Sequence, residues 1–146
     1  MKMLSVWSLL KIWLICCCFC LLSGTVAAYE TLRLYLDADM SINGQAGASI
    51  EMGIRTALDK LGWKLGGCPV SLEVLDNRGN SLRSREHLRQ FLEDEAALAV
   101  FCGLHSPPVL DNQEFINSNR ILMLDPWAGA GPITRPQSPE NWIFRL

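Results

Sequence analysis

The side chains able to do chemistry in this sequence gather behind short apolar runs. Asp37 and Asp39 follow Leu32–Leu36, and Asp76 and Asn77 follow Val70–Leu75. Cys102, His105 and Ser106 follow Ala97–Phe101, while Asp125 and Trp127 follow Ile121–Leu124. Several reactive constellations can be tested on spacing alone. Cys102 and His105 are three apart with His87 the only other histidine, whereas a zinc site needs more ligands at better spacing. Gly129-Ala130-Gly131 lacks the third glycine of a dinucleotide fingerprint and follows the fourth strand. Asp37, Asp39 and Asp76 suggest a phospho-acceptor cluster, but the export signal described below separates them from cytoplasmic phosphodonors. No Ser-His-Asp set stands in a nucleophile-elbow context. The expectation is a protein that is not an enzyme and uses no cofactor or metal.

What remains is binding chemistry. Ser106 fits a helix N-cap with Pro107 at the first helical position. A hydroxyl beside free N–H groups at a helix start favours an anion, although Pro107 removes one donor. Trp127 offers a flat apolar wall. Asp76 and Asn77 read as groups that fix a loop and cap the next helix. Ser41-Ile42-Asn43-Gly44-Gln45 reads as ordinary turn chemistry, although it reaches the same rim.

These residues need elements to position them. Leu32-Arg33-Leu34-Tyr35-Leu36 alternates as a strand does and ends at Asp37. A polar loop, 38–44, leads to a helix with Ala46, Ile50, Gly53, Ile54, Ala57, Leu58 and Leu61 as one buried stripe, ended by Gly62. Gly66-Gly67 makes a turn before a second strand, Val70–Leu75. Ser81–Glu95 is a second helix with Leu82, Leu88, Phe91 and Leu92 inward and its mixed charges outward. Ala97–Phe101 is unbroken apolar sequence, as in a strand buried on both faces. One helix then runs from Ser106 to about Asn117, followed by strands at Ile121–Leu124 and Trp142–Leu146. Such alternation predicts an α/β fold: a parallel, Rossmann-like sheet with helices on both faces. Ligands of such sheets sit beyond the carboxyl ends of the strands, which are Asp37–Gly44, Asp76–Gly79, Cys102–Pro108 and Asp125–Pro132 here.

The N-terminus reads differently. Residues 1–28 carry only Lys2 and Lys11 as charges, an apolar run from Ile12 to Leu22, and a small-residue close at Val26-Ala27-Ala28. That is a signal peptide cleaved after about Ala28, leaving 29–146 as the mature portion. Its apolar run is short for a membrane span, which needs about 20 residues. Cleavage leaves two of the six cysteines, Cys68 and Cys102. An oxidising compartment invites them to pair, but they fall at opposite ends of different strands, too far apart for a disulfide. Two free thiols are expected. With 13 Lys+Arg against 15 Asp+Glu, a net charge of -2, the chain is no basic nucleic-acid binder, and 49% hydrophobic residues are too many for a disordered tail.

From about Leu32 onward the sequence resembles the ABC-transporter substrate-binding proteins of the leucine/isoleucine/valine-binding type, which are type I periplasmic binding folds. The resemblance lies in Leu32–Gly47, Val74-Leu75-Asp76-Asn77, Val100-Phe101-Cys102-Gly103 through Ser106, Asn119–Ala128, and Asn141–Leu146. It implies that 29–146 is a partial first lobe of a two-lobed, monomeric receptor. Such a receptor captures an amino acid or similar small solute in the periplasm and delivers it to an ABC permease in the inner membrane. It also implies ligand-binding roles for Ser106, at the start of the helix after strand three, and for Trp127, Ala128 and Gly129, in the loop after strand four. Gly129 stands where the leucine-binding relatives place a threonine hydroxyl, so only a backbone N–H serves there, and Trp127 stands where they have something small. An aromatic or larger apolar ligand follows from that exchange. The same fold also serves as a ligand-sensing receptor module, and a fragment without the second lobe would be non-functional alone.

Overall fold

The computed structural model describes residues 30–135 and 140–146, and the expected signal peptide lies outside them. The central strand is β1 (Leu32–Ala38). Its alternation places Leu34, Leu36 and Ala38 in one core cluster and Tyr35 in the other, so both faces are buried. Around it the sheet runs β2-β3-β1-β4-β5-β6, with β2 at Lys64–Leu65, β3 at Cys68–Asp76, β4 at Ala97–Cys102, β5 at Met123–Asp125 and β6 at Ile143–Arg145. All neighbours pair parallel except β2 and β3, which form a hairpin. The α/β class and the five parallel strands are those the sequence pattern predicts, while Gly66-Gly67 is the turn of a hairpin that the pattern does not show. Both glycines have positive φ, 57° and 88°, and close that two-residue ladder.

One face of the sheet is covered by α1 (Gly44–Lys60). Ile50, Ile54 and Leu58 pack against Leu34, Leu36, Val70 and Ala99. Burying three such side chains, at about 2 kcal/mol each, outweighs the helix-propensity cost of Gly44, Gly47 and Gly53, about 1 kcal/mol apiece at most. Gly47 is required by packing: a Cβ there would lie 2.5 Å from the Asp39 carbonyl oxygen and 2.6 Å from the Met40 sulfur. The expected stripe is narrower than the sequence suggested. Gly53, Ala57 and Leu61 are exposed and line one side of an apolar groove of about 550 Å³, whose other side is Leu98, Leu122, Leu124 and Leu146. Among the described residues α1 is the one helix packed on this face, and it does not reach across to β5 and β6.

The other face carries α2 (Ser81–Glu93), α3 (Ser106–Leu110) and α4 (Gln113–Ser118). Leu88, Phe91, Val109 and Ile116 meet Tyr35, Val100 and Met123 there. Leu82 and Leu92, expected inward, are 78% and 43% exposed. The Asn80 side chain caps α2 by accepting from the N–H groups of Leu82 and Arg83, and this start sets the buried stripe at Ser84, Leu88 and Phe91. The single helix expected from Ser106 to Asn117 is two. Asn112 Nδ2 donates to the Pro108 carbonyl at 2.7 Å and to the Ser81 carbonyl at 3.0 Å, so a side chain takes over where the helical ladder would continue. The N-cap position of α3 belongs to His105, and Ser106 is its first residue.

Both thiols are free. Cys68 opens β3 and Cys102 closes β4, on opposite flanks and at opposite ends of β1. Burial and the Asp125 carboxylate push the Cys102 thiol well above its usual range.

Candidate functional site

The strand-end aspartates each hold the loop that follows them. Asp39 accepts from the N–H of Ile42 at 2.8 Å and of Asn43 at 3.0 Å, and from Asn43 Nδ2 at 3.1 Å. His105 Nε2 lies 3.1 Å from the same carboxylate. An ionised carboxylate only accepts, so Nε2 carries the hydrogen. Burial would raise the Asp39 pKa, but the N–H donors of Ile42, His105 and Asn43 outweigh it and hold the group at about 2. Asp76, kept below the usual carboxylate range chiefly by the Ser41 side chain, accepts from the N–H of Met40 and Arg78. Asn77 accepts from Gly79 N–H, so this pair fixes the loop as expected, while the helix cap is Asn80. Fully buried Asp125 accepts from Trp127 N–H at 3.1 Å and pairs with Arg145 at 3.3 Å.

Between these loops lies an open cleft of about 530 Å³, lined by Ile42, Asn43, Gly44, Gln45, Ala46, Ser49, Leu104 and Trp127. It opens beyond the carboxyl ends of β1, β4 and β5, where loops from adjacent strands leave to opposite faces. This is the switch point at which α/β sheets bind ligands. Of the four residues expected to meet a ligand, Trp127 stands on the cleft wall, 51% exposed. Gly129 is exposed with no heavy atom within 4 Å of where a Cβ would sit. Ser106 is half-buried, and its Oγ accepts from Ala130 N–H at 3.2 Å. The Ala128 side chain is fully buried in the core and not on the cleft wall, and its carbonyl accepts from Arg145 at 2.8 Å. The structure therefore unites Trp127 with a loop that the sequence reading assigned to turn chemistry. Asn43, Gln45 and Ser49 supply polar groups to the same lining. Their position after the central strand was the signal available for finding them.

A serine, a histidine and an aspartate do meet elsewhere, without forming a relay. Ser84 Oγ donates to one oxygen of buried Asp37 at 2.5 Å, and His87 Nδ1 to the other at 2.7 Å. The hydroxyl is bound to the carboxylate rather than to the imidazole, so no base stands ready to activate it.

No protein-family model matches the chain, and no curated protein matches it either. Solved structures do. An ABC transporter substrate-binding protein from Sphaerobacter thermophilus superposes with a TM-score of 0.71 at 24% identity, over 80% of this chain and 32% of its own. A solute-binding protein of an ABC transporter from R. palustris, in complex with benzoate, gives 0.71 at 25% identity over the same shares. A leucine binding protein from Thermotoga maritima gives 0.69 at 18% identity, again over 80% and 32%. The chain has the fold of a partial lobe of a type I periplasmic binding protein. It spans about a third of the length of these neighbours, which are solute-binding proteins and not enzymes.

Proposed function

We propose that this chain supplies one wall of the ligand cleft in the substrate-binding component of an ABC importer, exported by residues 1–28 and working in the periplasm. The observation that carries the reading is the cleft at the switch point, whose lining combines Trp127 with Asn43, Gln45 and Ser49. An apolar wall with a few polar groups suits a small solute with a flat apolar body and a polar end. The solute class is an amino acid or a related acid, and the R. palustris neighbours with benzoate and 4-hydroxybenzoate support the aromatic end of that range. In this reading the indole of Trp127 stacks on the solute body. Ser106 offers its hydroxyl hydrogen, Gly129 its backbone N–H, and Ala128 only backbone. Closure draws its free energy from a ligand that touches both lobes, and the chain delivers the solute to an inner-membrane permease as a monomer.

The test is calorimetric titration of the purified protein with benzoate and with leucine, repeated on Trp127→Ala. Aromatic stacking is worth about 1 kcal/mol, so the substitution should weaken benzoate roughly five-fold or more. Unchanged benzoate affinity in Trp127→Ala would remove the indole from the site.

A further inference from the structure

One wall of the cleft is Ile42 and Asn43 with the first turns of α1, the other is Trp127 in the loop after β5, and β4 runs between β1 and β5. The segment leaving β4 therefore enters between the two walls. Its root is fixed by close packing: a Cβ on Gly103 would lie 2.8 Å from the Ala38 Cα, so only glycine lets β4 end against β1 here. The next three residues divide their contacts. Leu104 lines the cleft itself. His105 Nε2–H donates to Asp39, the carboxylate that also gathers the N–H groups of Ile42 and Asn43. Its ring is backed by Gly79, where a Cβ would come within 3.1 Å of the imidazole. Ser106 Oγ accepts from Ala130 N–H, which belongs to the loop that carries Trp127.

We propose that Leu104-His105-Ser106 is a bridge that sets the spacing between the two walls, with His105 positioning the Asn43 wall and Ser106 positioning the Trp127 wall. This rests on reading the cleft as the solute site, and it makes cleft width, hence selection of a thin planar solute, depend on the hydrogen bonds of His105 and Ser106 as well as on the lining residues. His105 acts here through Asp39 and is a positioning residue. The two halves of the bridge are separable, because each grips its wall through a different atom on a different side chain.

The decisive experiment is residue-resolved amide exchange on the purified protein and its variants, with benzoate and leucine affinities measured alongside. Loss of one hydrogen bond speeds exchange by roughly five-fold. His105→Leu should accelerate Ile42 and Asn43 and leave Ala130 and core Leu36 unchanged. Ser106→Ala should accelerate Ala130 and spare Ile42 and Asn43. His105→Gln, which keeps an N–H donor, should restore both the protection and the benzoate affinity that His105→Leu loses, and Ser106→Thr should restore Ala130. Uniform acceleration that includes Leu36, or no change at either loop, would overturn the bridge. If the unaltered protein binds neither probe, the solute reading fails, while the exchange pattern still decides the bridge.

Discussion

Replacing Asp39 by Asn tests the electrostatics that hold the cleft rim. In the folded protein the carboxyl is held at about 2 against an ordinary 3.8. Each pKa unit corresponds to about 1.4 kcal/mol, so the ionised group contributes about 2 kcal/mol at neutral pH. A depressed folded value means that this stability is complete above about pH 4 and fades as pH falls toward 2. Asp76 and Asp94 are also held low, so the unaltered protein alone would not isolate the effect. The difference between it and Asp39→Asn does. Urea unfolding followed by circular dichroism should show a deficit of about 2 kcal/mol at pH 7, a midpoint lower by about 1 M for a typical slope. The deficit should shrink steadily between pH 4 and pH 2. A gap equally large at pH 2, or no gap at pH 7, would refute the argument that N–H donation to an ionised Asp39 holds this loop.

Other consequences follow from packing. Gly103→Ala forces a Cβ onto the Ala38 backbone, and thermal unfolding should report a loss of about 1–3 kcal/mol. Leu36→Ala removes a fully buried side chain from the α1 face and should cost about 2–5 kcal/mol in the same assay. Under native conditions a thiol reagent should label half-buried Cys68 well before Cys102, whose thiol is buried and held protonated; equal rates would contradict the placement of Cys102. Leu61→Lys with Leu98→Glu places charges on the open apolar groove. This pair should reduce binding of an apolar dye while changing stability by less than about 1 kcal/mol.

Much of this architecture is legible in the residues, for a physical reason. Strands such as Ala97–Phe101 are buried on both faces and must be continuously apolar, so their pattern survives without context. The misreadings cluster where tertiary contacts decide. Leu61, Gly53 and Ala57 continue the apolar period of α1, yet face a groove because α1 does not reach that half of the sheet. The helix after Ser106 breaks because Asn112 reaches back to Pro108 and across to Ser81, a pairing thirty-one residues apart that no local rule shows. The site was half visible. Trp127 stood out as a large aromatic in a strand-end loop, whereas Asn43 looks like any polar turn residue until Asp39 and His105 hold it beside the cleft. Ser106 stood out for its hydroxyl at a helix start, and the structure gives that oxygen a partner in the next loop, Ala130.

The central claim is that a small solute binds between the loop after β1 and Trp127. It is tested most directly by backbone NMR of the purified protein titrated with benzoate. The account predicts saturable shifts concentrated at Ile42–Ala46, Leu104 and Trp127, with a midpoint that moves to roughly five-fold higher benzoate in Trp127→Ala. An absence of saturable shifts there, or shifts confined to the apolar groove beside α1, would contradict it.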